Sequence, residues 1–308
     1  MRQMLVGLVL ALVASSVRTE PQPQGDWCSS RNASNEQKIT GCTVKIQSGG
    51  EAGRALAEDY DSRGAAYVAR GQVEEGVADY SQAIALNSSY AEAYYNRGSA
   101  YDGQGQHDKA NADYTKAIAI DPDYAEAYNN RGISHIGQGL IDPAIVDYTQ
   151  AIALKSDYAQ AYENRGAAYG RKGLYDSVIA DETQAIRLKS DFAQAYNNRA
   201  AAYAGKGLYD QAIAGGSQAV ALEPDNPQAY NNRGNAYAGK GLFDRAIADF
   251  SQAIVLDPDY ARASFNRGAV YGRKGLRDRA VADFRAALAG DPGMTKAKEA
   301  LTQLGATP

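Results

Sequence analysis

AYNNRGNAY, residues 229–237, is one of seven near copies along the chain. YYNRGSAY begins at Tyr94, YNNRGISH at Tyr128, YENRGAAY at Tyr162, YNNRAAAY at Tyr196, YNNRGNAY at Tyr230 and SFNRGAVY at Ser264. A looser copy, YDSRGAAY, begins at Tyr60, and each start lies 34 residues after the last. A fixed period of this length marks an array of one supersecondary unit, in which no copy buries its apolar face alone. The array overrides the expectation of about two globular domains for a chain of this length.

The copy at 227–260 reads as two helices. Pro227 suits a first helical turn, where a missing N–H costs nothing. Tyr230, Gly234 and Tyr237 recur at i, i+4 and i+7 on one face of a helix over about 227–238. Gly241 fits a left-handed C-terminal cap, and Asp244 is expected as the N-cap of the second helix. That helix, 245–256, carries Ala246, Ile247, Phe250, Ala253 and Ile254 on one face. Asp257-Pro258 ends it, since proline cannot continue a helix.

This pattern resembles the tetratricopeptide repeat family. Tyr230, Arg233, Gly234, Tyr237, Ala246, Phe250, Ala253 and Pro258 fall on its eight signature positions, with Tyr230 in place of the usual tryptophan and Arg233 in place of leucine. The resemblance covers 57–304 as seven repeats (57–90, 91–124, 125–158, 159–192, 193–226, 227–260 and 261–294) and a C-terminal capping helix. It implies an all-α, right-handed α-α superhelix whose concave surface, lined by the first helix of each repeat, holds a protein or peptide partner.

Arginine recurs at the departing position as Arg63, Arg97, Arg131, Arg165, Arg199, Arg233 and Arg267. A half-buried charge needs a partner. Asp79, Asp113, Asp147, Asp181, Asp249 and Asp283 stand sixteen residues later and are expected to supply it. Gly215 replaces the aspartate in repeat five. Repeats four and five also lose the second-helix aromatic, having Glu182 and Gly216. Mid-helix glycine costs about 1 kcal/mol relative to alanine, so the softest part of the array is expected near 176–220.

The N-terminal region has a different character. Arg2 followed by an apolar run from Met4 to Ala14 and small residues reads as an export signal over 1–19, cleaved or retained as an anchor. Pro, Gln and Gly mark 20–34 as a linker. Cys28 and Cys42 are the two cysteines. In an exported chain they favour a disulfide, the alternative being two reduced thiols. Ile39, Cys42 and Ile46 recur at helical spacing and align with Ile247, Phe250 and Ile254. Residues 35–56 therefore read as a capping half-repeat. At the other end, 295–308 form a capping helix and tail whose Lys296, Lys298 and Glu299 supply a polar outer face.

Net charge is −4, which excludes a general basic field for nucleic acid. Most of the 22 tyrosines sit at fixed repeat positions and so belong to the packing. No phosphate loop, nucleophile motif, metal-ligand cluster or cofactor motif is found, and His107 and His135 replace packing aromatics. The chain reads as an exported, periplasmic or secreted, non-enzymatic scaffold without cofactor. Its expected partner is a protein or peptide rather than nucleic acid or, after signal removal, membrane. The alternative is a self-associating envelope component.

Candidate contacts lie beside each arginine. Asn96, Asn130, Asn164, Asn198, Asn232 and Asn266 precede it, and each amide offers a donor and an acceptor to an extended peptide backbone. Similar asparagines grip peptides in the superhelical domain of the O-GlcNAc transferases. Asn129, Asn197 and Asn231 are expected at the same groove. Glu58, Glu92 and Glu126, then Gln160, Gln194 and Gln228, then Arg262 would orient a ligand by charge. Asp61 and Asp102 extend the acidic end, and Arg171 and Arg273 the basic one.

Overall fold

The computed structural model describes residues 24–307. The expected signal segment and the start of the linker lie outside them. The described residues contain helices and no strands. The chain divides into two compact units, one up to Ala93 and one from Tyr94 on.

In the first unit a 3-10 helix, Gln24–Trp27, precedes α1 (Asn35–Ser48), α2 (Gly53–Ala69) and α3 (Val73–Leu86). Ser34 caps α1: its hydroxyl accepts from Gln37 N, while Gln37 Oε1 accepts from Ser34 N. This capping box satisfies two otherwise orphaned donors. Cys28 and Cys42 form a disulfide, with Cα atoms 4.5 Å apart, and Cys42 is fully buried. The bond ties the 3-10 helix and half-buried Trp27 to α1. Beneath it, Asp59 of α2 lies 3.2 Å from Cys28 Sγ and 3.4 Å from Lys45 Nζ. Burial pushes the Asp59 carboxyl up to about 6.

The division falls within α4 (Ala91–Gly103). The second unit continues with α5 (His107–Ile120), α6 (Ala125–Gly137), α7 (Ile141–Leu154), α8 (Ala159–Arg171), α9 (Tyr175–Leu188) and α10 (Ala193–Gly205). Then follow α11 (Tyr209–Leu222), α12 (Pro227–Gly239), α13 (Phe243–Leu256), α14 (Ala261–Arg273), α15 (Arg277–Gly290) and α16 (Thr295–Gln303). Even-numbered helices are the first of each repeat. Successive members α6, α8, α10, α12 and α14 touch one another and form the inner face of this unit.

Small residues permit that approach. Ala127, Ala161, Ala195, Ala229 and Ala263 are essentially fully buried along the first helices, as are Ala151, Ala185, Ala219 and Ala253 along the second. Gly234 faces the Phe250 ring so closely that a Cβ would stand 2.7 Å from it, and Gly132 meets Tyr148 at 2.6 Å. Gly241 has φ +81°, the left-handed cap that its position demands.

The second helix starts earlier than the sequence pattern suggests. Leu242, not Asp244, occupies the N-cap of α13 and makes no side-chain cap bond. Asp244 lies inside the first turn, where a carboxylate suits the helix dipole, and pairs with Lys274 of the next repeat. The same link joins Lys172 to Asp142, Lys206 to Asp176 and Lys240 to Asp210.

The Arg–Asp pairs form within repeats. Arg63, Arg97, Arg131, Arg165, Arg233 and Arg267 each donate from Nε and Nη2 to the two oxygens of the aspartate sixteen residues on, at 2.7–2.9 Å. Nη1 of Arg131, Arg165 and Arg267 reaches back to Thr115, Thr149 and Ser251 in the preceding repeat. Except in the seventh repeat, the guanidinium also lies over the tyrosine three residues earlier, 5.5 Å from its centroid for Arg233 over Tyr230; Arg267, preceded there by Ser264, lies over Tyr271 at 5.9 Å. Tyrosine and arginine thus depart from the family signature together, because each covers the other. Arg199 keeps Thr183 at 3.1 Å and Tyr196 at 5.5 Å, but its Nε is buried without a partner.

Asp249→Ala strands a largely buried guanidinium and lowers stability by about 3–5 kcal/mol. Arg199→Met, which breaks no ion pair, costs under about 1 kcal/mol by the same reasoning; equal losses in urea denaturation would contradict the pairing argument. Replacing Cys28 and Cys42 by serine lowers stability by about 3 kcal/mol on chain-entropy grounds and shifts the emission of Trp27, the single tryptophan.

Candidate functional site

The asparagines beside the arginines occupy two distinct environments. Asn129, Asn197 and Asn231, expected at the groove, are only 2%, 1% and 3% exposed. They face the neighbouring first helix. Asn130, Asn164, Asn198, Asn232 and Asn266 are half-buried, and their Nδ2 groups donate into the preceding repeat. Asn130 donates to Tyr95 Oη at 3.0 Å, Asn164 to Asn129 Oδ1 at 2.9 Å and Asn198 to Glu163 Oε1 at 3.0 Å. Asn232 donates to Asn197 Oδ1 and Asn266 to Asn231 Oδ1, both at 2.9 Å. Asn96 is half-buried at the corresponding position.

Each rung spans 35 residues, one more than the period. The bonds run on within the doublets: Asn129 Nδ2 donates to Asn130 Oδ1 at 3.1 Å, and Asn231 Nδ2 to Asn232 Oδ1 at 3.4 Å. One wire therefore links Asn164, Asn129, Asn130 and Tyr95. A second links Asn266, Asn231, Asn232 and Asn197. A side-chain amide carries two N–H donors, so a rung leaves one of them for a ligand. Asn198 is the exception, because its Nδ2 serves two carboxyls.

Those carboxyls mark the junction of the wires. Glu163 takes the place of the first asparagine and Glu182 that of the second-helix aromatic. Asn198 Nδ2 stands 3.0 Å from both Glu163 Oε1 and Glu182 Oε1. Glu182 is fully buried, and burial, followed by the charge of Glu163, pushes its carboxyl up to about 9. Burial also raises Glu163, against the hydrogen bonds from Asn198 and Gln160. Three buried polar atoms without hydrogen-bond partners lie here: Glu182 Oε2, Asn197 Nδ2 and Arg199 Nε. Helix α11 runs unbroken through Gly215 and Gly216. A Cβ on Gly216 would stand 2.9 Å from Arg233 Cβ, so the next repeat occupies the space vacated by the aromatic.

A cavity of about 770 Å³ opens on the inner face across repeats four to seven, lined in part by Ala167, Arg171, Asn198, Gln228, Asn232 and Arg262. A second, of about 390 Å³, shares Asn232 and Arg262 and adds Asn231, Asn235, Phe265, Asn266 and Lys296, so Asn231 borders the trough although its side chain is buried. Lys296, expected only on the outer face of the C-terminal cap, thus also reaches the trough.

The remaining charged candidates are distributed differently. Glu58 pairs with Arg54 at 2.8 Å, and Glu92 is exposed. Glu126 pairs with Lys155 at 3.0 Å, a hydrogen bond that lowers its carboxyl. Asp61, assigned to the acidic end of the groove, is 6% exposed and so buried. Asp102 receives His107 Nδ1 at 2.6 Å. The His107 ring packs where a Gly137 Cβ would stand 2.6 Å from it, in keeping with its reading as a packing residue. Arg273 lies over Phe243, 5.8 Å from the ring centroid. Among the described residues no helix is long and apolar enough to cross a membrane.

Repeated antiparallel helix pairs, joined by rungs and carrying an open inner trough, define a helical-repeat protein of the interaction-module class. Family models described as TPR repeat and tetratricopeptide repeat match residues 64–105, 138–173, 205–241 and 234–275, and residues 91–124. The chain belongs to the tetratricopeptide repeat family, whose members in general mediate protein–protein interactions on a non-catalytic scaffold. It is similar to a tetratricopeptide repeat protein from Parabacteroides merdae, with 19% identity and a TM-score of 0.64 over 81% of this chain and 98% of that one. It is also similar to a chain of the APC/C hetero-tetramer Cut9–Hcn1, with 18% identity and a TM-score of 0.65 over 91% of this chain and 58% of that one. MamA shares 28% identity, with a TM-score of 0.50 over 56% of this chain and 94% of its own. No curated protein sequence matches the chain.

Glu182 sets a measurable pH dependence. Its folded value of about 9 lies above the ordinary 4.5. Stability therefore falls as pH rises from about 4.5 and levels off above about 9. At pH 7 the carboxyl is protonated in the folded chain and ionised in the unfolded one, a difference of about 3 kcal/mol. Glu182→Gln keeps an acceptor for Asn198 and removes this slope, so the variant is the more stable at pH 7 and its denaturation midpoint changes less between pH 5 and 8. Parallel pH profiles for the two proteins would show that Glu182 is not buried as described.

Proposed function

We propose that the protein is an exported scaffold that holds an extended peptide segment of a partner protein in the trough of the second unit. The observation that carries this reading is the composition of the trough surface. Ala167 and Ala201 are exposed there beside Asn198, Gln228, Asn232 and Asn235. Small side chains leave room for a main chain, and amides offer it both donors and acceptors without demanding a particular sequence. The rungs hold the amides in place, so little side-chain freedom is lost on binding. Asn232 and Asn266 carry the contacts in this reading, with Gln228 beside them. Asn129, Asn197 and Asn231 act by fixing their neighbours. The disulfide supports an oxidising compartment, periplasmic or extracellular.

Ala201→Phe places a large side chain in the trough without disturbing a buried position. Panned against a random peptide library, the disulfide-bonded chain enriches a set of peptides. That set is lost on Ala201→Phe and retained on Val255→Ser, a change at a 72% exposed position of α13. Enrichment that survives Ala201→Phe removes the trough as the binding site. A concentration-dependent oligomer with no peptide enrichment points instead to self-association.

A further inference from the structure

We infer that the trough of repeats four to seven selects a peptide segment rich in acidic side chains, with Arg171 and Arg262 as the residues that recognise it. The inference rests on the peptide-binding reading above and adds the ligand's charge.

Four observations support it. First, Arg171 and Arg262 differ from the arginines of the Arg–Asp pairs. Arg165, Arg233 and Arg267 are held by aspartates at 2.7–2.8 Å. Arg171 and Arg262 line the cavity, and among the described residues neither has a carboxylate partner.

Second, Arg262 occupies a position that helix electrostatics disfavour. It is the second residue of α14, where the positive end of the helix dipole opposes a cation. The equivalent residues of the preceding repeats are Glu126, Gln160, Gln194 and Gln228. A cation at this place has no stabilising role in its own helix.

Third, the charge is not cancelled nearby. The residues lining the two joined cavities include Arg171, Arg262 and Lys296 and no carboxylate. Glu163 of α8 and Glu182 of α9, both bonded to Asn198, are buried rather than exposed to the trough. Their raised values keep Glu182 uncharged at neutral pH. A local positive field therefore persists in a chain of net charge −4.

Fourth, the two cavities share Asn232 and Arg262, so the site is elongated and lined by amides between its cations. An extended chain with acidic side chains can use the cations and the amides together. The guanidinium fork suits carboxylates.

Fluorescent peptides alternating Glu with Gly, Gln with Gly and Lys with Gly provide the test, measured by anisotropy on the disulfide-bonded chain. The Glu peptide is expected to bind about tenfold tighter than the Gln peptide, with the Lys peptide weakest, and the preference should shrink with added salt. Arg171→Gln/Arg262→Gln removes the preference while shifting the circular dichroism melting curve little, since neither residue has an ion pair among the described residues and the favourable place of Arg171 in the last turn of α8 is offset by the unfavourable one of Arg262 in the first turn of α14. Equal affinity for the Glu and Gln peptides overturns the inference but leaves the trough reading standing. A preference that survives the double substitution also overturns it. Displacement of the Glu peptide by an equal concentration of inorganic phosphate indicates a free-anion site and overturns the peptide assignment. Loss of both peptides on Ala201→Phe, by contrast, concerns the trough itself and not its charge preference.

Discussion

The bidentate guanidinium–carboxylate pair between the two helices of a repeat is the constraint on which the structure depends. Placing arginine where the family carries leucine buries a charge in every repeat, and a buried charge must be satisfied in full. Aspartate does so within the repeat, a threonine or serine hydroxyl from the preceding one, and a tyrosine ring covers the remaining face. Packing between alanine-lined helices is close but nearly featureless. Hydrogen bonds are directional, so the pair sets the phase of each second helix against its first. The asparagine rungs do the same between successive first helices.

Repeat five shows what happens when the constraint is relaxed. Gly215 removes the carboxylate, and Arg199 keeps only its hydroxyl and its ring. Ala200 replaces the usual glycine there, and its Cβ stands 3.3 Å from where a Gly215 Cβ would be. An aspartate at 215 would therefore press on Ala200, which must give by a few tenths of an ångström to admit it. Glu182 in the preceding repeat has taken the aromatic's place without an aromatic's indifference to burial. The two amide wires end at this junction. Its unsatisfied atoms lower the cost of opening the array there.

Much of the fold was legible because its determinants are fixed separations along the chain. The period, the sixteen-residue Arg–Asp spacing, the glycine caps and the Cys28–Cys42 pairing can all be counted. The side on which an asparagine faces cannot be counted so simply. Tyr230 and Gly234 mark the packed stripe, and Asn231 looks displaced from it toward the groove. The next first helix covers that displaced edge and buries it. A signal was nevertheless present: a polar residue stands before the second asparagine in repeats two to six, as Tyr95, Asn129, Glu163, Asn197 and Asn231, with Phe265 in repeat seven. A 35-residue separation between the members of a rung is what neighbouring first helices require. Asp244 was misplaced for a different reason. Asp, Ser and Asn are common N-caps, but they also suit a first turn, and only the start of the helix distinguishes the two. The groove was expected from the sequence, but its volume was not, because that arises from small side chains on several repeats.

The same accounting of partners narrows what the inner face can recognise. Structural carboxylates are held within the repeats, and Asp142, Asp176, Asp210 and Asp244 are tied to lysines of the following repeat. The rung asparagines have given one N–H each to their neighbours. What the trough retains is a spare N–H on Asn232 and Asn266, exposed amides at Gln228 and Asn235, and the cations Arg171, Arg262 and Lys296. Amides of this kind recognise a main chain and are nearly indifferent to its sequence. Unpartnered guanidinium groups are not indifferent, because any ligand that desolvates them must supply negative charge in return. Under the proposed function, discrimination falls to the charges and general grip to the amides, so that peptides would be held by their backbone and sorted by their acidity.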